Sequence, residues 1–140
     1  MLRSILMIAA MALATEASAQ ALQPVKISPA DAAGPVFQRE GAQVRTRNGN
    51  TTKDFEMLHS TDKGFSAGIY EAGASSHDFE SYREDEFMYF LKGSVTLTSK
   101  DGAVTKIVAG DAVTLPKGWA GRWETEGYTK YYVTYDAPKK

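Results

Sequence analysis

Residues 86–93, EFMYFLKG, and residues 110–121, GDAVTLPKGWAG, decide how this chain folds. In EFMYFL both alternating sets are apolar after Glu86, with Met88 and Phe90 on one face and Phe87, Tyr89 and Leu91 on the other. A strand covered on both faces belongs in the middle of a barrel or sandwich. Glu86 shares the face of Met88 and Phe90, so it points where they point.

Working outward, the chain beyond Thr51 reads as short β-type runs: DFEMLH, FSAGIYEA, FESY, EFMYFL, SVTLTS, VTKIVA, DAVTLP, GRWET and TKYYVTYD. Turn residues separate them at Asp62-Lys63-Gly64, Gly73-Ala74-Ser75-Ser76, Lys92-Gly93, Asp101-Gly102, Gly110-Asp111, Lys117-Gly118 and Glu126-Gly127. Asp101-Gly102 is the strongest hairpin signal, of the kind that closes a two-residue type I′ turn. Many short strands at even spacing predict an all-β sandwich or barrel, and no run after Thr51 has a helical period.

The 140 residues suffice for one domain with its own core. Lys+Arg 16 against Asp+Glu 17 gives a formal net charge of -1, so no broad basic field exists to attract nucleic acid. The first residues, MLRSILMIAAMALATEASAQ, have the layout of a secretory signal peptide: Arg3, an apolar run from Ile5 to Ala14, and Ala17-Ser18-Ala19 for cleavage after Ala19. That apolar run, about 10 residues, is half of what a membrane span needs. The expected organisation is a signal peptide over 1–19, a lead-in over 20–50 and the β domain over 51–140. The product is exported, periplasmic and free of the membrane. In the lead-in, ALQPVKISPADAAG has no period and reads as mobile, with short strands either side of Gly41 and a turn at Asn48-Gly49-Asn50. The absence of cysteine excludes thiolate zinc sites and a cysteine nucleophile, and with only His59 and His77 a three-histidine metal site cannot form.

Together, EFMYFLKG and GDAVTLPKGWAG resemble the two motifs of a cupin, H-x-H-x(3,4)-E-x6-G and G-x5-P-x-G, the second carrying a further histidine. The resemblance implies a jelly-roll barrel of the double-stranded β-helix type. The match extends through STDKGFSAGIYEAG, EDEFMYFLKGSVTLTSKDG, AGDAVTLPKGWAGRWET and TKYYV. It covers about Phe55 to Tyr135 and is similar to the (S)-ureidoglycine aminohydrolase-type branch, which includes ethanolamine-utilisation cupins. In metal-binding members the three histidines and the glutamate hold the ion. Here Glu86 takes the glutamate place, the first-motif histidine places fall on Glu80 and Tyr82 or on Phe79 and Ser81, and the second-motif place is Gly121.

The resemblance therefore implies a barrel without a resident metal, a weak hard cation on Glu80 and Tyr82 being the alternative. A buried Glu86 needs a partner, and Lys130 on the same barrel-facing set as Tyr132 is the expected one, facing it across the barrel. Glu86, Lys130 and Tyr82 are the candidate acid/base residues. Glu80, His77, Met88, Phe90, Trp123 and Tyr132 are the candidate ligand contacts, with Trp123 inward and filling the room vacated by the imidazole and ion. For each the bland alternative stands beside it: a structural ion pair for Glu86, a solvated sheet face for Lys130, a polar rim for Glu80 and Tyr82, a loop histidine for His77, and plain core for Trp123. Trp119 reads as core or dimer contact. The function expected is the binding of a small polar molecule by a homodimeric cupin. The alternatives are a hydrolase, isomerase or lyase using Glu86 with Tyr82, His77 or Lys130, and a degenerate cupin kept for assembly.

Overall fold

The computed structural model describes residues 22–137. Helix α1 (Pro29–Ala32) and a 3-10 turn (Pro35–Gln38) precede seven strands: β1 (Gln43–Arg47), β2 (Asn50–His59), β3 (Phe65–Phe79), β4 (Asp85–Ser99), β5 (Val104–Val108), β6 (Ala112–Leu115) and β7 (Gly121–Tyr135). All pair antiparallel in the order β1-β2-β3-β7-β4-β5, with β6 on β4. The chain is all-β and forms a jelly-roll barrel. No helix among the described residues is long and apolar enough to cross a membrane.

Three expected breaks turn out to be bends inside long strands. Gly73–Ser76, Lys92-Gly93 and Glu126-Gly127 lie within β3, β4 and β7, each 15 residues long. The β4–β7 register shifts between Phe90 and Lys92 and again between Ser94 and Thr96. Such bulges bend a strand and exchange its inward and outward residues. Before the shift β4 buries Glu86, Met88 and Phe90; after it, Val95 and Leu97. Gly93 (φ 77°) sits at this crossing, where a Cβ would lie 1.9 Å from the Gly127 carbonyl oxygen. Only glycine combines that backbone with that approach. The Asp101-Gly102 hairpin also differs in detail. Gly102 N–H donates to the Ser99 carbonyl, and only Gly102 of the pair has positive φ (89°), so a longer loop with one left-handed glycine replaces the two-residue turn.

The lead-in is tied down rather than loose. Ser28 and Asp31 form a reciprocal capping box, Pro29 opens the helix, and Arg39 bridges to Asp31 at 3.0 Å. Val36 and Phe37, expected in a strand before Gly41, instead lie in the 3-10 turn and pack on the outward face of Ile69. That cover includes Phe55, Leu91 and Tyr131 but stops short of the outward Phe87 and Tyr89, which are exposed. EFMYFL is thus central in its sheet, but its outward face is covered only at Leu91. The interior holds the main core, with Met88, Phe90, Val95, Leu97 and Ile107 almost fully buried. The proposed signal peptide, residues 1–19, lies outside the described residues.

Candidate functional site

The barrel interior holds a polar pair at its floor. Glu86 on β4 and Lys130 on β7 are on neighbouring strands, not across the barrel: Lys130 is opposite Phe90 in the ladder, and Glu86 is opposite Thr134. Four residues of strand separate the two rows, about 13 Å. Both long side chains close that gap by lying along the floor over Met88. Lys130 Nζ reaches Glu86 Oε1 at 2.6 Å and Met88 Sδ at 3.0 Å. Trp123, Tyr128 and Tyr70 set their rings 5.3, 5.8 and 5.9 Å from the ammonium, within cation–π range.

Tyr82 completes the group by donating its hydroxyl to Glu86 Oε2. Its segment is clamped to the β6–β7 loop, with Tyr82 N–H donating to the Trp119 carbonyl and Gly118 N–H donating to that of Tyr82. Burial pushes the Lys130 ammonium below the usual lysine range, while the Glu86 charge and hydrogen bond pull the other way. Burial, then the Glu86 charge, push the Tyr82 phenol far up, so it stays a donor.

A second polar pair, absent from the sequence reading, lies on the β2 side. Tyr132 donates to Asp54 Oδ1 at 3.0 Å. It can lean that far because Gly68 leaves the space: a Cβ there would lie 2.6 Å from the Tyr132 hydroxyl and 2.5 Å from the Phe55 carbonyl oxygen. Burial pushes the Asp54 carboxyl up, against the pull of the Tyr132 hydrogen bond. Tyr70, opposite Asp54 in the ladder, joins the two pairs. Asp54, Tyr132 and Tyr70, with Glu86, Tyr82, Trp123 and Lys130, border an open cavity of ≈ 1070 Å³. That is at the upper end of the range of small-molecule pockets, about 300–1,000 Å³.

Residues 59–132 match the EutQ-like cupin domain family, more than half of the chain. This chain belongs to the EutQ-like cupin domain family. Solved structures agree in fold. The cupin is 20% identical to the EutQ protein of Clostridium difficile, with a TM-score of 0.55 over 82% of this chain and 83% of that one. It is 21% identical to a protein of unknown function from Rhizobium leguminosarum bv. viciae, with a TM-score of 0.55 over 83% of this chain and 100% of that one. A protein of unknown function from Pseudomonas syringae pv. tomato gives a TM-score of 0.59 at 16% identity over 65% of this chain, which spans 39% of that longer chain. No curated protein matches.

The cupin departs from a metal frame through specific contacts. Glu86, at the family's glutamate place, is already held by a buried ammonium and a phenol, so a divalent ion there would face Lys130 at close range. Trp119, not Trp123, lies where the second-motif imidazole would project: a Cβ on Gly121 would be 2.5 Å from its ring, and its Nε1–H donates to Ser99 Oγ at 3.1 Å. Among the described residues no three His, Asp or Glu side chains gather as a ligand set. Around Glu86 the described side chains do not supply the donor set that a divalent ion needs.

The remaining candidates are placed as follows. Met88 and Phe90 are both fully buried in the core and neither borders the cavity, although Met88 presents its sulfur to Lys130. Trp123 is inward, 4% exposed, and leaves the barrel open. Tyr132 borders the cavity. His77 is exposed on β3 opposite Trp123, at the rim, with no hydrogen bond to the floor group. Glu80 is 89% exposed and pairs with Lys100 at 3.2 Å, away from Glu86.

Proposed function

We propose that this cupin is an exported, periplasmic protein that binds a small polar molecule in its barrel, without a resident transition metal. The observation that carries the reading is the open ≈ 1070 Å³ cavity whose floor is the self-neutralised Lys130–Glu86–Tyr82 group. A barrel retained only for assembly has no need of an open interior with buried charge, which costs several kcal/mol per ion to desolvate. Aromatic walls with a few convergent polar groups are the usual makeup of such a pocket. The paired Trp119 and Trp123 and the run Lys130-Tyr131-Tyr132 support kinship with the ureidoglycine aminohydrolase-type branch as a frame, and metal-dependent hydrolysis is not part of the proposal. The outward Phe87 and Tyr89 support a homodimer through this sheet face.

The test joins elemental analysis of the mature protein, prepared without chelator, to a thermal-shift screen of small amines, acids, sugars and ureides. Stabilisation by at least one compound class, with far less than one equivalent of manganese, iron, nickel or zinc, is expected. Stoichiometric metal, or no response to any class, overturns the reading. Export predicts a mature mass beginning at Gln20, and a soluble product that keeps Met1 overturns that part.

A second reading is favoured by one feature. Lys130, Glu86 and Tyr82 form a continuous hydrogen-bonded line from the floor toward the mouth. The Lys130 ammonium can pass a proton to Glu86 and, as the amine so formed, take one from a ligand, while Tyr82 holds the other carboxylate oxygen, which is the equipment of a general acid/base. Turnover of any compound found in the screen, abolished in Lys130→Met, tests it.

A further inference from the structure

The sign of charge inside the barrel is unevenly resolved. Lys130 is the basic side chain of the inner wall, and Glu86, itself held by the Tyr82 hydroxyl, already satisfies it. Lys63 and Arg83 also border the cavity, but both are exposed at its rim. A carboxylate faces the interior from β2 as well, that of Asp54, with Glu56, exposed at the rim, two residues along on the same strand face. Glu56 has His59 beside it at 3.2 Å. Asp54 has the neutral Tyr132 hydroxyl on one oxygen and, among the described residues, no Lys, Arg or His within ion-pair distance.

Its neighbours confirm the imbalance. Lys53, next in sequence, points to the opposite face and pairs with Glu71 at 2.7 Å. Arg45, on the adjoining strand β1, is exposed and donates to Gln43. Burial pushes the Asp54 carboxyl up and the Glu56 carboxylate adds to it, against the pulls of the Tyr132 hydrogen bond, Arg45 and Lys130. Beside this carboxylate stand the rings of Tyr132 and Tyr70. A carboxylate flanked by aromatic rings is the combination that receives an organic ammonium, through Coulomb attraction and the negative faces of the rings. The same interior already seats one ammonium in this way, that of Lys130. An anionic ligand would have to displace Glu86 from Lys130 or lie against Asp54 unpaired, and both are costly.

Resting on the reading of the barrel as a small-molecule site, we propose that its ligand is a small organic cation whose ammonium group seats on Asp54 and the Tyr132 ring. Asp54 is then the residue that selects for charge, and the Lys130–Glu86–Tyr82 floor meets the polar far end of the molecule.

The experiment compares n-butylammonium, 1-butanol and butyrate, which share one carbon skeleton, by ligand-observed NMR titration and thermal shift on the full mature chain. Asp54→Asn, which keeps an acceptor for Tyr132, is run beside wild type with its fold checked by circular dichroism. Wild type is expected to bind the ammonium at least about tenfold more tightly than the alcohol or the acid, a difference of about 1.4 kcal/mol, and Asp54→Asn to lose that preference. Equal or tighter binding of butanol or butyrate overturns the cation class while leaving the small-molecule reading intact. Ammonium preference unchanged in folded Asp54→Asn overturns the seat. Silence from all three compounds and from every class of the wider screen overturns both readings. Should Asp54→Asn not fold, the ranking of the three compounds on wild type still decides the class.

Discussion

Lys130 Nζ lies 2.6 Å from Glu86 Oε1 with each side chain 5% exposed, and the two residues stand on adjacent strands with the methionine sulfur of Met88 beneath the ammonium. Each charge is kept inside the barrel chiefly by the other. Removing either one strands its partner in a low-dielectric interior, which costs about 3–5 kcal/mol, whereas apolar replacement of both is often close to neutral. Glu86→Gln and Lys130→Met are therefore each expected to lower the denaturant midpoint strongly, and the double variant to recover most of the loss. Urea titrations at unchanged slope measure this. Small additive effects would show that the pair does not hold in solution.

Tyr82→Phe removes only the hydroxyl that donates to Glu86 Oε2. A hydrogen bond to a charged group contributes about 1.5–3 kcal/mol. The backbone bonds to Gly118 and Trp119 remain, so the variant should stay folded with that loss of stability. A denaturant midpoint equal to wild type would mean that Glu86 does not rely on Tyr82.

Gly68→Ala tests the clearance that lets Tyr132 reach Asp54. The new methyl would lie 2.5 Å from the Phe55 carbonyl oxygen, a backbone atom that cannot swing aside, and 2.6 Å from the Tyr132 hydroxyl. Overpacking of this kind costs about 1–3 kcal/mol. The variant should be less stable by that amount and should bind ligand more weakly, because Tyr132 is pushed from Asp54. Wild-type stability and affinity together would remove Gly68 from the account.

Asp54 carries a pH dependence of opposite sign to that of a paired carboxylate. Burial raises its folded pKa above the ordinary 3.8, so between those values the folded chain holds a proton that the unfolded chain has lost. Its contribution to stability is present below pH 3.8 and is lost as the pH rises through the folded pKa. Asp54→Asn has no such loss. Its stability relative to wild type should be smallest at acid pH and should increase as the pH rises through that window, then level off. Urea midpoints of both proteins from pH 3.5 to 7 check the trend, and a difference that shrinks with rising pH contradicts it. A residue that lowers stability at neutral pH, yet borders the cavity, fits a part in ligand binding.

Much of this architecture is legible in the chain itself. Strand alternation is local, so EFMYFL, SVTLTS and TKYYV identify themselves as strands, and the inward Glu86 demands a cation that Lys130, inside the run TKYYV, supplies. Direction through a bend is not local. The bulges of β4 and the bend at Gly127 exchange inward and outward residues, so Trp123 and Lys130, at odd and even positions of one strand, both reach the same interior. Asp54 escaped sequence reading for a related reason. In DFEML nothing local says which alternating set is inside; Phe55 packs outward beneath Val36 and Phe37, which turns Asp54 toward the cavity and leaves Glu56 exposed at its rim. Periodicity determines that a strand has two different faces. Which face is inside depends on what the rest of the chain lays against each, and in a barrel with a polar cavity the covered apolar face can be the outer one.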